Sequence, residues 1–175
     1  MNVNLQDNFF SIFQLPVSYQ VEPLVLDDRY RDLQRNVHPD KHVGASDQDK
    51  RLAMQWATVI NEAYTTLKSP LKRAIYILKL KSCEIEHNPT LPGEFLMAQI
   101  ELREELEDIG DDAGSLARLA VFKGKIAAGL AALELDFAAQ IDDQLAAAEQ
   151  TTYKMQFMHK LYSEADRLEE KLLGY

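Results

Sequence analysis

Leu26, Tyr30, Leu33 and Val37 recur at i, i+4, i+7 and i+11, the spacing of one buried stripe on an amphipathic helix. Pro23 suits the first turn of that helix. Pro39 stops it, because the residue before a proline avoids helical dihedrals. Arg31 and Arg35 fall on a different face, one turn apart. A polar loop from His38 to Asp47 follows. Ser46 with Asp49 then makes a capping-box-like start for a helix whose apolar stripe is Leu52, Trp56, Val59, Ile60, Ala63 and Leu67. The short loop between these two helices predicts an antiparallel hairpin. A short helix opening at Asp7 and carrying Phe9, Phe10, Ile12 and Phe13, and another over Leu71 to Leu80 behind Ser69-Pro70, are expected to cover its ends.

Asn88-Pro89 and Pro92-Gly93 are turn signals, which places a linker at 81–93 between a first domain, 1–80, and a second, 94–175. Three helices are expected in the second. The first runs from Glu94 to Ile109, with Phe95, Ala98, Leu102, Leu106 and Ile109 as its packing stripe. The next runs from about Ser115 to Gln140, with Leu116, Leu119, Ile126, Leu130, Leu133 and Phe137 apolar. The last follows a cap at Asp142 or Asp143 and ends at Leu173; in it Met158, Leu161, Ala165, Leu168 and Leu172 form a 3-and-4 seam. Short turns between three such helices predict an antiparallel three-helix bundle. The fold class is all-α.

Composition narrows the function classes. Hydrophobic residues make up 46% of the 175 residues, enough for a real core. The net charge of −9 is uneven: residues 1–75 hold nine basic and nine acidic side chains, so the whole excess lies in 76–175. An acidic second half argues against nucleic acid and suggests two parts with two partners. Cys83 is the only cysteine, which excludes an internal disulfide and a cysteine-rich zinc site and suits a reducing cytoplasm. Met1 to Leu15 makes a poor signal peptide, and no apolar run is long enough for a bilayer. A cytoplasmic protein without a membrane partner is expected.

The most specific local pattern is His38-Pro39-Asp40-Lys41 at the turn of the hairpin, after Arg31 and Arg35, with Asn61-Glu62-Ala63-Tyr64-Thr65-Thr66-Leu67 closing the following helix. An ionised Asp40 can accept a charge-assisted bond from a partner arginine. Pro39 stiffens the loop and lowers the entropy lost on docking. Arg31 and Arg35 can steer toward an acidic surface, although Asp27–Arg31 and Asp32–Arg35 also suit ordinary intrahelical pairs, and Pro39-Asp40 an ordinary turn. His38, Asp40 and His42 carry ligand chemistry for a metal-dependent enzyme. Three ligands within five loop residues need a second cluster, and none is visible. No catalytic residue, resident metal or cofactor is assigned, and an enzyme is not expected.

Taken together, residues 7–75 resemble the J-domain of the DnaJ-type co-chaperones. The resemblance implies that His38, Pro39 and Asp40 trigger ATP hydrolysis in a DnaK-like heat-shock ATPase, with Arg31, Arg35 and Lys41 as the docking face.

In the second half the packing stripe leaves Leu96, Met97 and Ile100 over, beside Glu101, Glu104 and Asp108, and Phe157 sits off the seam of the last helix. An apolar spot rimmed by one sign of charge suits a protein-binding surface; a wider bundle core or packing on the first domain is the alternative. This segment, the closing Asp166 to Leu173 and Ser69 to Tyr76 resemble the HscB family, the J-domain co-chaperones of iron–sulfur cluster biogenesis, over essentially the whole chain. That resemblance implies an L-shaped pairing of J-domain and bundle. It implies contacts to an IscU-like scaffold at Leu96, Met97, Ile100, Glu101, Glu104, Asp108 and Phe157, and recruitment of an HscA-type DnaK-like ATPase that the protein stimulates during cluster assembly or transfer. The cysteine zinc module of some eukaryotic relatives has no counterpart here, so the bacterial type is expected. An adaptor for another client remains the alternative.

Overall fold

The computed structural model describes residues 8–37, 46–86 and 89–174. Seven helices are present among them: α1 (Phe9–Ile12), α2 (Pro23–Val37), α3 (Asp47–Lys68), α4 (Pro70–Leu80), α5 (Gly93–Glu107), α6 (Ser115–Gln140) and α7 (Leu145–Leu173). None of the described helices is long and apolar enough to cross a membrane. The chain divides into two units, Met1–Leu80 and Lys81–Tyr175.

In the first unit α2 and α3 pair antiparallel: Asp27 near the start of α2 meets Tyr64 and Lys68 near the end of α3, while Gln34 near the end of α2 meets Asn61. Ser46 caps α3, accepting from the Asp49 N–H while its own hydroxyl donates to the Asp49 carboxylate. This is the capping pair read from the sequence. The cap of α1 is Asn8, whose side chain accepts from the Ser11 N–H; Asp7, expected in that role, lies outside the described residues. Phe10, Ile12 and Phe13 are buried with Leu26, Ile60, Ala63, Leu67, Ala74, Ile77 and Leu78. The α3 stripe departs from expectation at its start, because Ala53 is buried and Leu52 is exposed.

Two arginines join the short helices to the hairpin. The Arg29 guanidinium donates to the carbonyls of Phe13 and Gln14, the open C-terminal end of α1. That of Arg73 donates to the carbonyl of Leu67 in the last turn of α3. Each satisfies carbonyls that a helix end leaves without an internal partner. Phe9 stacks on Tyr76, with ring centroids 4.5 Å apart, and its N–H donates to the Tyr76 hydroxyl.

The second unit is an up-down-up bundle. α6 and α7 run antiparallel: Lys123 near the start of α6 pairs with Asp166 and Glu169 near the end of α7, and the Thr151 hydroxyl near the start of α7 donates to Gln140 at the end of α6. Leu106, Ile109, Leu119, Phe122, Ile126, Leu130, Phe157, Leu161 and Ala165 form the core cluster, with Phe95, Leu102, Met158, Leu168 and Leu172 packed against it. Gly129 gives room for the Met158 methyl, which would lie 2.6 Å from a Cβ there. Leu116, expected inside, is exposed, and its neighbour Ser115 is buried at that turn instead; Phe122 adds a buried position the stripe did not include. The N-cap of α7 is Gln144 without a side-chain cap bond, and neither Asp142 nor Asp143 caps it. Asp142 pairs instead with Lys81. Glu86 donates its N–H to the Tyr153 hydroxyl, so residues on both flanks of 81–86 are tied to this unit.

Candidate functional site

Two surfaces carry the candidate residues, one on each unit. On the first, Arg31 and Arg35 lie on the solvent side of α2. The Arg31 guanidinium pairs with Asp28 at 3.1 Å and donates to the Asp27 carbonyl; that of Arg35 pairs with Asp32 at 3.2 Å. Both pairs are largely exposed, and such pairs contribute about 0–1 kcal/mol. A partner carboxylate can therefore exchange for Asp28 or Asp32 at little cost. His38, Pro39, Asp40 and Lys41 lie outside the described residues, as does His42. Among the described residues no group of three metal-ligating side chains is present.

What the sequence reading missed is how the hairpin is fastened below its tip. Asp27 does not pair with Arg31 through its carboxylate. It accepts from the Tyr64 hydroxyl at 2.8 Å and from Lys68 at 3.4 Å. The Tyr64 bond first, then Lys68, holds the Asp27 carboxyl below its ordinary value. Tyr30 and Tyr64 stack with centroids 3.9 Å apart, and the Lys68 ammonium lies 4.9 Å from the Tyr64 centroid. The Asn61 amide oxygen accepts from both the Tyr30 hydroxyl and the Gln34 amide. The Asn61-Glu62-Ala63-Tyr64 stretch thus cross-links α2 to α3 and holds the end of α2 that leads to the tripeptide. The signal that could have found it was the placement of tyrosine, asparagine and glutamine on facing helix sides.

On the second unit α5 presents Leu96, Met97 and Ile100 to solvent, exposed by 45%, 59% and 50%. Successive helical residues are 100° apart, so Glu101, Glu104 and Asp108 continue this face toward α6; all three are exposed and, among the described residues, none enters an ion pair. Glu105 beside them is neutralised by Lys125. Phe157 is placed differently from its neighbours in the candidate set. It is only 9% exposed, belongs to the bundle core, and meets Phe95 edge-on at 5.8 Å. The Arg103 guanidinium lies 5.8 Å from its centroid. For this residue the wider-core reading holds in the isolated chain, because residue 157 lies on the side of α7 that α5 covers.

The electrostatics of this unit are set away from the apolar face. Lys123 bridges Asp166 and Glu169, and those two bonds push its ammonium well above the ordinary range. The Arg118 bond and the Gly114 N–H hold the Asp112 carboxyl down, while Asp112 orders the turn before α6. Cys83 is pushed up by burial and by the Glu149 carboxylate, which disfavours its thiolate.

Comparison with known proteins matches both units. Residues 8–76 match the DnaJ domain family, and residues 91–166 match the HSCB C-terminal oligomerisation domain. The co-chaperone protein HscB homolog of Shewanella pealeana is 44% identical over 173 residues, covering 95% of this chain and 99% of its own. The corresponding Vibrio cholerae homolog is 39% identical over 174 residues with the same coverage. In structure, the chain is similar to chaperone HscB from Vibrio cholerae, with TM-score 0.85, 37% identity and coverage of 95% and 99% of the two chains. It is also similar to human co-chaperone protein HscB, with TM-score 0.88, 26% identity and coverage of 95% and 84%.

Proposed function

Because the chain belongs to the HscB family and is a co-chaperone with a J-domain, we propose that it carries an IscU-like iron–sulfur scaffold protein to an HscA-type, DnaK-like ATPase in the cytoplasm and stimulates ATP hydrolysis there. The observation that supports this reading most directly is the outward face of α5. Three large apolar side chains, Leu96, Met97 and Ile100, stand exposed beside three carboxylates in no described ion pair. Exposed apolar groups rimmed by charge suit a partner surface, and methionine adapts to the shape it meets.

The J-domain acts on the ATPase through His38, Pro39 and Asp40, with Arg31, Arg35 and Lys41 as the docking face. Arg31 and Arg35 are held one turn apart on α2 in weak, exposed ion pairs. The Tyr30–Tyr64 stack and the Asn61 bridge keep α2 and α3 in register, so the basic face reaches the ATPase as a rigid body. Stimulation follows if the J-domain binds the hydrolysis-competent conformation more tightly than the resting one. One chain holding client and ATPase together raises the client's effective concentration at the chaperone. The protein itself performs no covalent step.

The test uses the full chain with a purified IscU-type scaffold and an HscA-type ATPase. His38→Gln is expected to abolish stimulation while scaffold affinity stays unchanged. Leu96→Ala, Met97→Ala and Ile100→Ala together are expected to weaken scaffold binding about a hundredfold, on the order of 1 kcal/mol for each truncated contact. Unaltered stimulation by His38→Gln, or wild-type chain that fails to bind the scaffold, would overturn the proposal.

A further inference from the structure

α5 packs on α7 through a few side chains and stands off from α6, and the space between α5 and α6 is a groove of about 710 Å³. Its floor is apolar, formed by Ile109 and Phe122. Its far wall is the α6 surface at Ala117 and Val121, and Val121 is 74% exposed. Its near rim is the carboxylate row Glu101, Glu104 and Asp108 of α5. Arg118 of α6 and Glu105 of α5 also line the groove; Arg118 pairs with Asp112 and Glu105 with Lys125, so neither changes the sign of the rim. The groove therefore combines an uncovered aliphatic wall with an uncompensated row of negative charge spaced one helical turn at a time.

We propose that this groove seats a segment of the client in which an aliphatic or aromatic side chain is flanked by lysine or arginine, so that Val121 and Ala117 on α6 are contact residues alongside α5. The inference rests on the scaffold-binding reading and extends it to a second helix. Charge selects the occupant. A neutral or acidic segment would bring apolar surface to Val121 but leave Glu101, Glu104 and Asp108 unpaired or repelled beside a low-dielectric contact. A basic segment pairs with all three while its apolar residue removes Val121 from water. The rim is continuous with Leu96, Met97 and Ile100 along one side of α5, so a single partner surface can lie over the helix and reach into the groove. A second copy of this chain fits less well, because its own second unit is strongly acidic.

Calorimetry with the full chain and a purified IscU-type scaffold tests the groove. Val121→Ala favours the helix and removes two carbons from the wall, and should weaken scaffold binding about tenfold. Val121→Lys places a cation against the basic segment and should weaken it more. Replacing Glu101, Glu104 and Asp108 by Gln, Gln and Asn should flatten the dependence of affinity on salt. Circular dichroism should match wild type and melting should not fall for Val121→Ala, since these side chains lie at the surface. If Met97→Ala weakens binding while both Val121 variants bind as wild type, the groove is not a contact and this inference fails, while the α5 reading stands. If the wild-type chain binds no scaffold at all, both fall. Concentration-dependent self-association lost in Val121→Lys, with scaffold binding unchanged, would assign the groove to a second copy and overturn the proposal.

Discussion

Phe157 of α7 meets Phe95 of α5 edge-on, ring centroids 5.8 Å apart, with the Lys154 ammonium 5.9 Å from the Phe95 centroid. This pair clamps α5 to α7 at the N-terminal end of α5, beneath the exposed Leu96 and Met97. Phe157→Ala is expected to destabilise the second unit by about 3–5 kcal/mol, as other buried phenylalanine truncations do. Leu96→Ala and Met97→Ala should change stability by less than about 0.5 kcal/mol each. Denaturant melts of the three variants separate a residue that builds the binding face from residues that form it. Loss of scaffold binding in Phe157→Ala counts as a direct contact only if the melt is unchanged.

Asn61 holds two donors from α2 on one amide oxygen. Asn61→Ala leaves the Tyr30 hydroxyl and the Gln34 amide without that acceptor, at a cost of about 1 kcal/mol because both still reach water. Native-state hydrogen exchange should speed up in α2 and α3 and stay unchanged in α6 and α7.

Arg31 and Arg35 sit in exposed pairs that stabilise the fold little. Arg31→Ala with Arg35→Ala should leave the melting temperature within about a degree or two. At low salt the doubly substituted chain should associate with the ATPase about tenfold more slowly. The difference should shrink as salt approaches 0.5 M, roughly where screening cuts the reach of charge to a few ångströms. A rate gap independent of salt would show that these arginines do not steer.

His159 is half-buried, and its Nε2 has no hydrogen-bond partner among the described residues. Burial lowers its pKa from the ordinary 6.5, with the Glu134 carboxylate opposing. In the window below 6.5 the unfolded chain therefore binds the proton more readily than the folded one. Its contribution to stability is full above that value and is lost as pH falls through the folded pKa. Melts from neutral to mildly acidic pH should show a steeper loss for wild type than for His159→Gln. Equal slopes would place the imidazole in contact with water.

Much of the helix layout was legible before any coordinates. Pro23, Ser46 with Asp49, and Pro70 act on backbone groups within one turn of themselves, so their effect is local and readable. Asn8, which caps α1 next to Asp7, shows one limit, since neighbouring residues with similar capping chemistry compete; α7 shows another, since it starts behind Gln144 with no side-chain cap and packing of the following turn selects the register. Leu52 and Leu116 were misplaced for a related reason. Periodicity locates the centre of an apolar face but not its width, and both residues lie at the edge, where the neighbouring helix decides between core and solvent. Asp27 shows the same at the level of charge: the sequence offers Arg31 on its own helix, while the fold brings Tyr64 and Lys68 from another.

By itself the amino-acid order determined an all-helical chain, a neutral half carrying the His38-Pro39-Asp40 pattern, and an acidic half whose helix, read as 94–109, has more apolar residues than one packing stripe needs. These are properties of composition and of spacing within one helix. Only the tertiary structure decided that Phe157 lies in the core while Leu96, Met97 and Ile100 stay in water, that Asn61 and Tyr64 fasten the hairpin, and that Val121 faces an acid-rimmed groove. Each of these depends on which helix lies alongside and how closely it approaches, and that distance is set by side chains far apart in sequence.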